Sequence, residues 1–205
     1  MRRLLDIVLA FAALAVLSPF LIVIGIAIFA DSTGNPFHLG WRVGKGGRQF
    51  RMWKFRTMVS GAAKLGPPIT GRKDSRITRV GHFLRRTKLD ELPQFVNVLL
   101  GDMSLVGPRP EAPEIVALYR PDQRKVLAVK PGITGRVQLA SFYESETIPE
   151  GERADEYYVR RLMHRKLRID LDYINNRTVL SDIRILFSTG MSVLRSFGRN
   201  WRTSI

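Results

Sequence analysis

Between Ile7 and Ala30 the chain has 24 consecutive residues without a charge, most of them apolar. Wound as an α-helix, such a run is about 36 Å long, enough to cross the hydrocarbon core of a bilayer. A cleavable signal would have an apolar core roughly half as long, closed by a small-x-small pattern, and none precedes Asp31. The run is therefore expected to remain as a membrane segment. Ser18-Pro19 sits at its middle, where proline removes a helix hydrogen bond and clashes with the preceding turn. Arg2 and Arg3 precede the run, and Arg42, Lys45, Arg48, Arg51, Lys54 and Arg56 follow it, so the positive-inside rule asks for both flanks on one side. A helix–break–helix over 1-35 that enters one leaflet and returns meets both constraints, provided the carbonyl freed at Pro19 is satisfied, for instance by the Ser18 hydroxyl. A kinked helix that spans the bilayer fits the local pattern equally well.

The remaining residues, 36-205, suffice for one domain with a core. The chain has no cysteine, which excludes disulfides and thiolate metal sites. A net charge of +15 and a pI near 11.0 call for an anionic partner: nucleic acid, anionic lipid or a phosphorylated substrate. From Ser32 to Leu89 there are fourteen Lys or Arg and one acid, Asp74. The adjacent acids Asp90 and Glu91 follow that basic field, which favours their ionised forms.

Phe37 to Met58 predicts a β-hairpin around Gly44-Lys45-Gly46-Gly47, whose glycine spacing is not that of a phosphate-binding loop. Its second arm interleaves cations with aromatic rings, a pattern suited to a membrane surface or to nucleic acid. Ser75 to Thr87 predicts a helix. A second amphipathic helix is expected from near Asp90, with Thr87 or Asp90 capping it, Pro93 in its first turn, and Gly101 as a left-handed stop. Prolines on both sides of Arg109 stiffen that loop and make Arg109 a candidate phosphate ligand. Short helices are expected over Pro113–Tyr119 and Asp122–Val129. The glycine-rich segment Lys130–Arg136 is either an anion cradle or a connector. A longer helix should run to about Asn176, and a last one, Ser181–Phe197, has an apolar side that suits a core or a membrane surface. His38, His82 and His164 lack metal-ligand spacing, so any metal would be hard and oxygen-bound, such as Mg²⁺ on Glu91.

Taken in order, Ser18-Pro19, Lys54-Phe55-Arg56-Thr57-Met58, Leu89-Asp90-Glu91-Leu92-Pro93-Gln94, Gly101–Pro110, Lys130-Pro131-Gly132-Ile133-Thr134-Gly135 and Asp170–Ile174 resemble the bacterial sugar transferases, the monotopic phosphoglycosyl transferases. The likeness covers nearly the whole chain and is to the short form, like the initiating enzyme of N-glycan assembly. It implies an α+β, mostly α fold: a re-entrant membrane hairpin broken at Ser18 and Pro19, a small helical domain with a short β-hairpin, and amphipathic helices on the membrane surface. It also implies transfer of a sugar 1-phosphate from a UDP-sugar to undecaprenyl phosphate, with release of UMP, through an aspartyl intermediate. By the resemblance Asp90 is the nucleophile and Glu91 a Mg²⁺ ligand. Lys54, Arg85 and Arg109 match basic positions of the family's site, and Asp170 a further acidic one; Arg136, in the glycine-rich loop, is a candidate on its local pattern. The implied setting is the cytoplasmic face of a bacterial inner membrane, with inner-leaflet phospholipid and no nucleic acid as partners. The sugar, the pathway and the oligomeric state, a homodimer included, stay open. The alternative is a non-enzymatic basic membrane-associated protein that binds nucleic acid or anionic lipid.

Overall fold

The apolar run forms a single helix, α1 (Arg2–Asp31), in a computed structural model that describes residues 2–62, 65–66, 74–140 and 154–202. A bend or a break is expected at Pro19, and the helical backbone continues through it, with no division into two helices. Proline leaves the carbonyl of Ala15, four residues back, without its usual donor. The Ser18 hydroxyl donates to that oxygen at 2.9 Å, as the sequence predicts. Only 11% of the most apolar window of α1 is buried, whereas the core helix of a water-soluble domain would be mostly covered.

Both ends of α1 are tied to the same globular body. At its start, Arg3 donates to the carbonyls of Val98 and Leu99, at 2.6 and 3.0 Å. Asp6, also buried, accepts from the Ser104 hydroxyl at 2.8 Å and from the Leu105 amide at 3.0 Å. At its far end, Asp31 accepts from the Val80 amide at 2.9 Å. Ile24 and Ile28 pack there with Phe55, Leu84 and Leu89.

β1 (Phe37–Val43) and β2 (Gln49–Phe55) form the expected antiparallel hairpin, with Lys54 opposite His38. α2 (Arg79–Thr87) is capped by the Thr78 hydroxyl, which accepts from the Gly81 amide. α3 (Gln94–Leu100) begins later than expected, with Pro93 in the cap position, and ends on Gly101 at φ 91 as predicted. Thr87 caps nothing downstream: its hydroxyl turns back to the carbonyls of Phe83 and Leu84.

β3 (Ser104–Val106) and β4 (Gly132–Thr134) make a parallel pair that the sequence does not announce. Three residues per strand are too few to show a period. The pairing also explains the glycine-rich loop. A Cβ on Gly132 would stand 2.1 Å from the Gly107 nitrogen, so its glycines admit a neighbouring backbone rather than an anion. α4 (Pro113–Ala117) and a 3-10 segment, Gln123–Ala128, match the two short helices expected. α5 (Arg136–Ala140) follows β4. α6 (Ala154–Tyr157) runs through a wider turn, Tyr158–Leu162, into α7 (Met163–Asn175), and α8 (Val179–Arg202) closes the described chain. Much of segments 60-75 and 144-156 lies outside the described residues.

Candidate active site

Lys88 takes the left-handed conformation (φ 61) and ends α2; a single 3-10 turn, Leu89–Glu91, then leads into Pro93 and α3. Apolar neighbours on both sides seat that turn: Leu89 is in the cluster with Ile24 and Ile28 of α1, and Leu92 packs against the same cluster. Asp90 and Glu91 are thus presented by a packed turn between two helices, and not by a helix N-cap.

Two elements bring cations to Glu91. β2 supplies Lys54, whose Nζ donates to Glu91 Oε1 at 2.7 Å. The proline-flanked loop after β3 supplies Arg109, whose Nη2 donates to the same oxygen at 2.7 Å, while Nη1 lies 3.5 Å from Oε2. Asn97 of α3, fully buried, fixes β2 in place by donating to the Arg51 carbonyl at 2.7 Å and accepting from the Trp53 amide at 2.9 Å. Arg85 lies behind the turn, with Nε donating to the Thr57 hydroxyl at 2.8 Å, and its charge bears on Asp90.

The basic field does not act alike on the two acids. Burial raises the Asp90 carboxyl above the usual aspartate range, with the neighbouring Glu91 charge adding to it against Lys54, Lys88 and Arg85. Burial also works against the Glu91 charge, but Arg109 and Lys54 overcome it and hold that group well below its ordinary value. The expectation that the basic flank favours ionisation of both acids therefore holds for Glu91 and fails for Asp90. Burial lowers the Lys54 ammonium, while the Glu91 charge raises the Arg109 guanidinium. Asp90 Oδ1 is buried with no hydrogen-bond partner among the described residues. Environments that push two carboxyls apart are a common way to give them different tasks.

Asp170, buried on α7, borders a small cavity of about 20 Å³ together with Arg109, Glu111 and Lys166, behind the arginine loop. Arg136 is not gathered with the others: it is exposed and pairs with Asp172 at 2.9 Å. In front of Glu91 and Arg109 opens a cleft of about 410 Å³, walled by Leu92 at the end of the 3-10 turn, Phe95 of α3, Ile133 of β4, Val137 of α5 and Val193 of α8. Sequence reading passes over Asn97 and Gln138, a further residue of this cleft, since neither interrupts an apolar pattern in a way that marks it.

The chain matches the bacterial sugar transferase family over residues 1–196. It belongs to that family. Among individual relatives, it is 37% identical over 206 residues to the exopolysaccharide production protein PSS of Rhizobium leguminosarum bv. phaseoli, covering 95% of each chain. It is 40% identical over 194 residues to the UDP-glucose:undecaprenyl-phosphate glucose-1-phosphate transferase of Escherichia coli, covering 92% of this chain and 39% of that protein. It is 36% identical over 200 residues to the UDP-N-acetylgalactosamine-undecaprenyl-phosphate N-acetylgalactosaminephosphotransferase of Aeromonas hydrophila, covering 96% and 44%. The chain thus spans less than half the length of the last two. The range matched by the family, residues 1–196, contains Asp90, Glu91 and the arginine loop.

Proposed function

We propose that this protein moves a sugar 1-phosphate from a UDP-sugar to undecaprenyl phosphate through a covalent intermediate on Asp90. The observation that carries the reading is the convergence of Lys54 and Arg109 on Glu91 in a buried turn beside Asp90, facing a cleft. A carboxylate attacks an anionic diphosphate only where the charge of both is offset. In the first step an Asp90 oxygen bonds to the phosphorus next to the sugar, the bond from that phosphorus to the UMP oxygen breaks, and UMP leaves. In the second, an oxygen of undecaprenyl phosphate bonds to the same phosphorus and frees the Asp90 carboxylate. Lys54 and Arg109 bind phosphate oxygens, and Arg85 offsets the charge of Asp90.

A hard divalent cation fits the donors present. Asp90 Oδ1 has no partner among the described residues, and Glu91 Oε2 has only the 3.5 Å contact with Arg109. Mg²⁺ is commonly held by one or two carboxylates plus substrate phosphates, as these two oxygens would allow. When bound, it would offset the negative charge of the diphosphate.

The re-entrant topology is part of this reading. Arg3 and Asp6 bond α3 and β3, and Asp31 bonds α2, so a bilayer lying between the two ends of α1 would have to run through the domain. Both flanks then lie on the cytoplasmic side with residues 36-205. Val179, Leu180, Ile183 and Phe187 leave an exposed apolar side on α8 that suits the inner leaflet, where Ile185 faces the core.

Full-length protein in detergent, given Mg²⁺, UDP-sugars and undecaprenyl phosphate, releases UMP from one of them, and Asp90→Asn abolishes the release. Normal turnover by Asp90→Asn would remove the nucleophile assignment. Salt-sensitive nucleic-acid binding without UMP release would replace the whole reading. Cysteines placed at Arg2 and Lys45 are labelled from the cytoplasmic side alone; labelling of position 2 from outside would overturn the hairpin.

A further inference from the structure

The Gln138 carboxamide is in an unusual position. Its Nε2 and Oε1 are both buried, and neither has a hydrogen-bond partner among the described residues. Buried amides in folded proteins are almost always paired, and each unmet group is costly, so one with both ends unmet calls for an explanation. Gln138 borders the cleft that also touches Glu91 and Arg109. Its amide rests over Gly135: a Cβ on that glycine would be 2.8 Å from Gln138 Oε1 and 2.3 Å from the carbonyl oxygen of Gly107, two residues before Arg109. The amide therefore lies at the root of the arginine loop, on a side chain that borders the cleft, and a change of its own torsions would be needed to turn it into that cleft.

We propose that the cleft seats the uracil ring of the nucleotide, with the Gln138 carboxamide pairing to the imide edge of that ring. This rests on the UDP-sugar reading and adds to it the group that reads the base. A carboxamide presents a donor and an acceptor side by side, and uracil presents the matching pair, N3–H next to a ring carbonyl. Other parts of the substrates match less well. A trans acetamido group points its N–H and C=O in opposite directions, so one carboxamide cannot take both. A polyprenol tail offers neither donor nor acceptor. A flat ring with two apolar faces and one polar edge suits the apolar part of the lining, Leu92, Phe95, Ile133 and Val137, beside the Gln138 amide.

Binding to the full-length protein in detergent, by calorimetry, tests this with UMP, 3-methyl-UMP and ribose 5-phosphate, without turnover. Wild type prefers UMP over 3-methyl-UMP, which lacks the N3 proton, by about tenfold or more. Gln138→Ala weakens UMP by a similar factor and leaves 3-methyl-UMP and ribose 5-phosphate unchanged, so the preference collapses. Gln138→Glu, which keeps the bulk and loses the donor, behaves likewise. Equal binding of UMP and 3-methyl-UMP by wild type overturns the proposal even if no variant folds. A preference that survives in Gln138→Ala overturns it too, as does a variant that loses undecaprenyl phosphate and retains UMP. In each of these cases UMP release from UDP-sugar by wild type shows whether the transferase reading still stands.

Discussion

Replacing each of the two adjacent carboxylates by its amide should move stability in different directions. Glu91 joins Lys54 and Arg109, and its side chain is 13% exposed against 17% and 35% for theirs. Glu91→Gln leaves two cations in a mostly dry site with half of their partner gone. Removing one member of a buried ion pair costs roughly 3–5 kcal/mol, and because Arg109 can rehydrate, the low end, about 3 kcal/mol, is expected. For a chain of this size that is a fall in Tm of roughly 6–12 °C. Asp90→Asn removes a carboxyl whose charged form is opposed by burial and by Glu91, and whose Oδ1 has no partner among the described residues. The amide should leave stability within about 1 kcal/mol of wild type, or raise it slightly. Both variants lose UMP release. Thermal and denaturant unfolding in one detergent, with Lys54→Met/Glu91→Gln as a third variant, reads the difference. The double variant should recover at least about 1 kcal/mol over Glu91→Gln, since it takes one of the stranded charges away. Asp90→Asn destabilising as much as Glu91→Gln would refute this account of the two acids.

Other perturbations reach the parts that hold the site. Asp6→Ala strands the Ser104 hydroxyl and the Leu105 amide, both buried, and should cost about 2–3 kcal/mol in denaturant unfolding, with Asp6→Asn milder because its amide oxygen can still accept. Gly132→Ala puts a Cβ 2.1 Å from the Gly107 nitrogen, so β3 and β4 must part; a loss of at least about 3 kcal/mol, or a KM for UDP-sugar raised by displacement of Arg109, should follow. Because Glu91 titrates below its ordinary value when folded, its contribution is fully present above the unfolded value of about 4.3 and is lost as pH falls through the folded one. Unfolding followed from pH 6 to pH 3 should therefore show a smaller fall in stability for Glu91→Gln than for wild type.

Long patterns in the chain are legible and short ones are not. The apolar run, the hairpin around Gly44–Gly47 and the stop at Gly101 are dictated by local chemistry, and each is found. The rescue of the Ala15 carbonyl by Ser18 is local too, and for that reason could be foreseen. The β3–β4 pair joins strands 28 residues apart through glycines that read equally well as a loop, so only tertiary contact reveals it. In the site, Asp90, Glu91, Lys54 and Arg109 stand out as charges among turn and proline signals. Their different electrostatics do not stand out, because burial dominates Asp90 while at Glu91 the charges of Arg109 and Lys54 outweigh it, and both are properties of packing.

The reaction proposed here joins a water-soluble nucleotide to a lipid whose phosphate stays at the membrane surface, so the nucleophile has to meet both substrates at one depth. The packing of the 3-10 turn on α1 supplies that depth. Leu89 and Leu92, on either side of Asp90 and Glu91, rest on Leu21, Ile24 and Ile28. At 1.5 Å per residue those positions lie within about 15 Å of Asp31, where the apolar helix ends. Three residues beyond that end, Gly34 already leads toward the hairpin that carries Lys54. In the proposed membrane setting, the apolar neighbours that seat the turn are therefore the ones that would set its height over the lipid, while the arginine loop and the cleft approach from the domain side. A charge-rich site built next to a membrane helix would be costly if its ions were bare; here the Glu91 pairings with Lys54 and Arg109 are made within the protein before any substrate phosphate arrives.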